Sequence, residues 1–169
     1  MERTYATWRQ DDAFLNACEA WPATLFPNAE YHYFADCGCL VCALAVMLLH
    51  CSTETELDEE RFNPWILNQR LIDCGAFSSA ADLDLEAIGR LYPLEYLGAV
   101  PFSKPTLAQL ADQGQPCLIT VPGKLAEQHF TTFLHMQDDD AVVYDPLCGE
   151  QLPSAYKQVC EIRMFRHAE

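Results

Sequence analysis

The stretch that most constrains this chain runs from Phe34 to His50, where a polar turn carrying Gly38 leads straight into the apolar run Leu40–Leu49. That run has no polar face, so as a helix it must be buried on all sides. It is much shorter than the roughly 20 residues that span a bilayer. The domain is therefore expected to be built around it. A cysteine in the first turn of such a helix meets unpaired backbone N–H groups and the positive end of the helix dipole, both of which favour a thiolate. The thiolate is the nucleophile of cysteine hydrolases. The plainer alternative is an inert cysteine packed as a small hydrophobe.

A base for that thiol is expected on the C-terminal part of the chain. Gln128 to Gln137 reads as a long strand, Asp138-Asp139-Asp140 as a turn, and Ala141 to Tyr144 as the return strand. The period of two puts His129, Thr131, Phe133 and His135 on one face. His129 opens the first strand and Asp145 closes the second, so an antiparallel hairpin brings them to the same end of the sheet. A bulge would shift that register by one or two residues. A carboxylate at that place holds an imidazole in one tautomer and stabilises its protonated form. The competing readings are an Asp-Pro turn start for Asp145 and an ordinary strand-end histidine for His129. His135, flanked by Leu134 and Met136, is the rival base, read first as a satisfied core histidine.

The remaining elements give a class. Asp11-Asp12 opens a helix that carries Ala13, Phe14, Ala17 and Cys18 and ends at Trp21-Pro22. An aromatic, turn-rich stretch follows to Tyr33; its His32 and Tyr33 either line a cleft or pack. Ser52 to Glu60 is acidic and exposed. Asn63-Pro64 reads as an N-cap with proline at the first helical position, and Cys74-Gly75 as that helix's stop. Asp84–Leu91 and Thr106–Gln113 are further helices, Pro116–Pro122 is a buried strand, and Val159–Phe165 a last strand. Helices first and mostly antiparallel strands last make an α+β domain. No linker or repeat interrupts it, so residues 1–169 are read as one domain.

Charge and cysteine usage exclude partners. With 25 acidic and 10 basic residues the net charge is −15, which repels nucleic acid and anionic membrane. The N-terminus shows no secretory signal or membrane segment, so nine cysteines imply thiols in a reducing, cytoplasmic compartment. Metal is the competing use: Cys37, Cys39 and Cys42 lie close together, with Cys18, His32, His50 or Cys51 to complete a set. Structural zinc sites, however, usually show two separated ligand pairs. Neither a metal nor an organic cofactor is expected.

Three blocks resemble the bacteriocin-processing leader peptidases and the wider group of leader-peptidase-like domains, which are papain-like cysteine peptidases. Gly38-Cys39 through Ala45 and Met47 is similar to the family's nucleophile helix. Asn63-Pro64 through Leu67, Asn68, Leu71 and Gly75 is similar to the helix that follows in the free-standing branch. His129-Phe130 and Tyr144-Asp145-Pro146 are similar to the His and Asp blocks, including their separation. The resemblance covers roughly residues 31–160. It implies a papain-like fold, N-terminal helices around the buried nucleophile helix packed on a C-terminal, mostly antiparallel sheet. It also implies a bacterial thiol protease acting on a peptide or protein, with Cys39 as nucleophile, His129 as base and Asp145 orienting it.

Two features of that resemblance leave choices. Asp36-Cys37-Gly38 reproduces the Asp-Cys-Gly of the transporter-linked branch, which makes Cys37 the alternative nucleophile. Only Cys39, however, sets Ala45 and Met47 at the family's offsets. The family's oxyanion glutamine has no counterpart, since none occurs between Gln10 and Gln69. Its place falls near Tyr33, so Tyr33 or His32 is the candidate donor beside the backbone N–H of Cys39. A catalytically inactive papain-like binding module and a metal-binding thiol protein are the rivals to the hydrolase.

Overall fold

The computed structural model describes residues 17–51, 63–122, 128–138, 140–147, 149–151 and 160–168; of 140 and 149–151 only the backbone is described. The chain is a mixed α+β structure on a six-stranded sheet in the order β1-β6-β2-β3-β4-β5, with every neighbouring pair antiparallel. The strands are β1 (Leu94–Pro101), β2 (Cys117–Val121), β3 (His129–Gln137), β4 (Asp140–Asp145), β5 (Gly149–Gln151) and β6 (Glu161–His167). Three α-helices are described: α1 (Cys39–Cys51), α2 (Pro64–Asp73) and α3 (Lys104–Asp112). A short helical turn, Phe34–Cys37, precedes α1, and a 3-10 helix spans Leu85–Arg90.

Helices cover both faces of the sheet. On one face α1, with Val41 to Leu49 all buried, packs with Leu67 and Leu71 of α2, Leu85 and Ile88, and the sheet residues Leu118, Leu134, Val142, Tyr144 and Phe165. On the other face Leu107 and Leu110 of α3 meet Ile119, Val121, Phe133, Val143 and Ile162. β2 is buried along its whole length because it carries both layers. The apolar run of α1 is thus enclosed on all sides, as its lack of a polar face requires.

Local chemistry explains the helix ends. Asn63 Oδ1 accepts from the Ile66 N–H at 3.0 Å with Pro64 at the first helical position, and Gly75 closes α2 at φ +68°. α3 starts two residues before the expected Thr106, because Ser103 caps it by accepting from the Thr106 N–H at 3.1 Å, with Pro105 in the first turn. The expected Asp84–Leu91 helix is a 3-10 helix, with Asp84 accepting from the Glu86 N–H. Of the expected first helix, Asp11 to Asn16 lies outside the described residues, and Ala17 and Cys18 are not helical. The acidic stretch Ser52–Glu60, Asp139 and Val159 also lie outside them.

The sheet corrects three readings. β1 was not expected: Pro93, Gly98 and Pro101 hide its alternation, and an edge strand tolerates them. β5 was also unexpected, being three residues long. In β3 the register slips between Phe133 and His135, so that Phe133 faces Val143 but His135 faces Val142. His135 therefore does not continue the face of Phe133. It is exposed, not a satisfied core histidine.

Candidate active site

Two contacts set the direction of α1 on the sheet. The Thr132 hydroxyl donates to the Ala43 carbonyl at 2.6 Å, and His50 Nε2 donates to the Leu134 carbonyl at 2.8 Å. Later helix residues thus meet later strand residues, and α1 runs along β3 in the same sense. Cys39 lies one turn before Ala43, about 6 Å back along the axis. Two strand residues cover about 6.8 Å, which carries Thr132 back to Phe130. The first residue of α1 therefore falls beside the first residues of β3.

The turn ahead of α1 is shaped by Gly38. Its N–H donates to the Phe34 carbonyl at 2.7 Å, and its own carbonyl accepts the first helical bond, from the Cys42 N–H at 2.9 Å. A Cβ at Gly38 would fall on the Phe34 ring and its carbonyl oxygen. Phe34 is fully buried and stacks on Trp21 with ring centroids 5.8 Å apart. Glycine is needed here for close approach, since its φ of −72° is open to any residue. The result makes Cys39 the first helical residue, where backbone N–H groups have no partner within the helix.

At the far side of the site, β3 and β4 pair with Thr132 opposite Tyr144. Continuing that register sets Asp145 opposite Thr131 and diagonal to His129, on the same face. His129 Nε2 donates to Asp145 Oδ1 at 2.7 Å, with the two residues 8% and 3% exposed. The same Oδ1 accepts from the Leu147 N–H at 2.8 Å, an Asx turn across Pro146. Asp145 thus both starts the Asp-Pro turn and holds the imidazole. Its proton-bearing partner is Nε2, which leaves Nδ1 as the imidazole nitrogen not engaged by Asp145. The Cys39 thiol lies near enough to the His129 imidazole to hold its pKa up.

Electrostatics follow from these contacts. Burial alone would pull the His129 pKa down. The hydrogen bond to Asp145, the nearby Cys39 thiol and its charge, and the Asp145 charge outweigh it and raise the group to about 9. Burial, then the nearby Cys39 and Asp36 charges, push the Cys37 thiol up to about 12. Burial raises Cys42 and Cys117 strongly, and Cys51 to about 12.

The other candidates are placed as follows. Cys37 ends the helical turn, and its thiol is directed at the Tyr33 carbonyl at 3.8 Å. His32 Nδ1 donates to the Trp21 carbonyl at 2.6 Å, so in the neutral ring Nε2 is an acceptor and offers no proton to an oxyanion. Tyr33 is 49% exposed, with its backbone bridged to Glu19. Among the described residues no three His, Cys, Asp or Glu side chains converge to hold a metal, and no disulfide links any of the eight described cysteines to another. Also among the described residues, no helix is long and apolar enough to cross a membrane. Thr132, whose hydroxyl ties α1 to the sheet, was not singled out from the sequence; its signal is a threonine in the middle of a buried strand.

No protein-family model matches the chain, and no curated protein or solved structure matches it.

Proposed function

We propose that this chain is a cysteine hydrolase of papain-like architecture, most simply a peptidase. The observation that carries the reading is one imidazole, His129, bonded to the buried Asp145 carboxylate and near the Cys39 thiol at a helix start. In this mechanism Cys39 Sγ gives its proton to His129 Nδ1 and attacks the substrate carbonyl. The S–C bond forms as the carbonyl π pair moves onto oxygen, which the Cys39 N–H stabilises. Collapse breaks the C–N bond, and the Nδ1 proton goes to the leaving amine. A water then gives its proton to Nδ1 as it attacks the thioester, and collapse returns the thiol. Asp145 keeps Nε2 protonated throughout and stabilises the imidazolium.

The substrate class is a peptide or protein, and isopeptide or amide hydrolysis would use the same three residues. The lack of a glutamine at the place of Tyr33 favours a second reading, a peptide-binding module of the same architecture that has lost turnover.

A limiting amount of iodoacetamide, read by peptide mass mapping, tests the first reading. Cys39 is expected to label ahead of Cys37, Cys42, Cys51 and Cys117. Labelling of Cys37 first, with Cys39 silent, would overturn the assignment in favour of the binding module.

A further inference from the structure

Directly ahead of the nucleophile turn, the chain presents two tyrosines to solvent. Tyr33 is extended, with φ −103° and ψ 145°, and forms an antiparallel bridge with Glu19. The Phe34 N–H donates to the Cys18 carbonyl at 3.3 Å, so Glu19 and Tyr33 are a pair of the closely spaced kind, with both side chains on one face. His32 points the other way, inward, where Nδ1 donates to the Trp21 carbonyl at 2.6 Å. Alternation therefore returns Tyr31 to the outer face. Tyr31 is 37% exposed and Tyr33 49%. Large rings left in water beside one another are what a recognition surface carries.

This face adjoins Cys39. The Tyr33 carbonyl accepts from the Asp36 N–H at 3.1 Å where the helical turn Phe34–Cys37 begins, and the Cys37 thiol is directed back at the same carbonyl. The six residues from Tyr33 to Cys39 are near-helical and cover about 9 Å, the span of about three residues of an extended peptide. Glu30 foremost, and also Asp36 and Cys37, hold the Tyr31 phenol above its ordinary pKa, so that ring leans toward the turn.

Charge decides what the rings can hold. Glu19, Glu30 and Asp36 are exposed and set carboxylates beside the two tyrosines, on a chain of net charge −15. An acidic ligand is repelled there. A purely apolar one would cover solvated carboxylates and leave them unpaired. A lysine or arginine side chain meets both features. Its cation is attracted to a ring face within about 6 Å of the centroid, its stem lies along the rings, and a carboxylate pairs with its head.

We propose that Tyr31, Tyr33 and Glu19 form a specificity subsite that binds a Lys or Arg side chain of the substrate within about three residues of the bond Cys39 cleaves. This rests on the hydrolase reading. The substrate class it defines is a basic peptide, attracted by the acidic surface and laid across the nucleophile turn by the rings.

The test digests a proteome-derived peptide library with the whole chain, with Cys39→Ser as blank, and maps new termini by mass spectrometry. Cut sites are expected to be enriched about fivefold in Lys or Arg at one position within about three residues of the bond, the size of one exposed cation–ring contact with a partly exposed charge pair. Tyr31→Ala, Tyr33→Ala and Glu19→Gln should each lower the enrichment to about twofold or less. Tyr33→Phe, which keeps the ring face, should retain it. Enrichment that is absent in the wild type, unchanged in any of those three variants or lost in Tyr33→Phe overturns the subsite. Enrichment in aliphatic or aromatic residues in place of Lys and Arg overturns it as well. No cuts beyond the Cys39→Ser blank overturn the hydrolase reading, and this proposal with it.

Discussion

Asp145→Asn removes one charge from a buried pair and keeps its shape. Asn Oδ1 can still accept from His129 Nε2 and from the Leu147 N–H, so both bonds seen at 2.7 and 2.8 Å survive in neutral form. The imidazolium loses its counter-charge, while the burial that pulls its pKa down remains. Each unit is worth about 1.4 kcal/mol, so the net shift from 6.5 to about 9 represents roughly 3 kcal/mol by which Asp145 and Cys39 together exceed the cost of burial. The variant is expected to bring the His129 pKa down by at least about one unit. His129 is raised above its unfolded value, so its stabilisation is complete below about pH 6.5 and is lost as pH rises through about 9. Wild-type stability should fall over that window by up to about 3 kcal/mol. In Asp145→Asn the slope should flatten. The assay is NMR titration of the five histidine Cε1–H signals, with His129→Ala to assign them, and urea melts at pH 6, 7.5 and 9. An unchanged His129 titration in Asp145→Asn refutes the electrostatic account.

Thr132→Val deletes the hydroxyl bond to the Ala43 carbonyl at 2.6 Å. That carbonyl is still a helix acceptor, so urea melts should show a loss of about 1 kcal/mol, and a loss above about 3 would mean the bond does more than dock the helix. Gly38→Ala sets a Cβ against the Phe34 backbone and ring, and should cost about 1–3 kcal/mol in the same melts. It should also slow Cys39 labelling, and wild-type labelling with wild-type stability would show that the turn has room.

How much was legible depended on how local the cause is. The all-apolar run of α1, the Asn63-Pro64 start and the Gly75 stop are written within a few residues, and they stand in the structure where they were expected. β1 was hidden because Pro93, Gly98 and Pro101 are ordinary strand-breakers, acceptable here only because the strand lies at the sheet edge. His135 was misread because one bulge at Leu134 cannot be seen in an alternating string. At the site, the proximity of His129 and Asp145 follows from one hairpin, two strands adjacent in sequence. The outward facing of Tyr31 and Tyr33 depends on the pairing of Glu19 with Tyr33 across a turn-rich stretch, a bridge with no sequence marker. Cys42 is deeply buried and Cys39 partly exposed although they differ by three positions on one helix, because Cys39 opens the helix and Cys42 lies a turn inside it.

The central claim is that His129 activates Cys39, and the pH dependence of Cys39 alkylation tests it most directly. Rates with iodoacetamide would be measured from pH 5.5 to 10 for the wild type, His129→Ala and His135→Ala, following the Cys39 peptide by mass. An ordinary thiol, with a pKa of about 8.5, is only about 1% ionised at pH 6.5. The account predicts that the wild type reacts about 10- to 100-fold faster than His129→Ala at pH 6.5. It also predicts a second change in rate near pH 9, where His129 gives up its proton. His135→Ala should follow the wild type. Equal rates in the wild type and His129→Ala at pH 6.5 would contradict the claim.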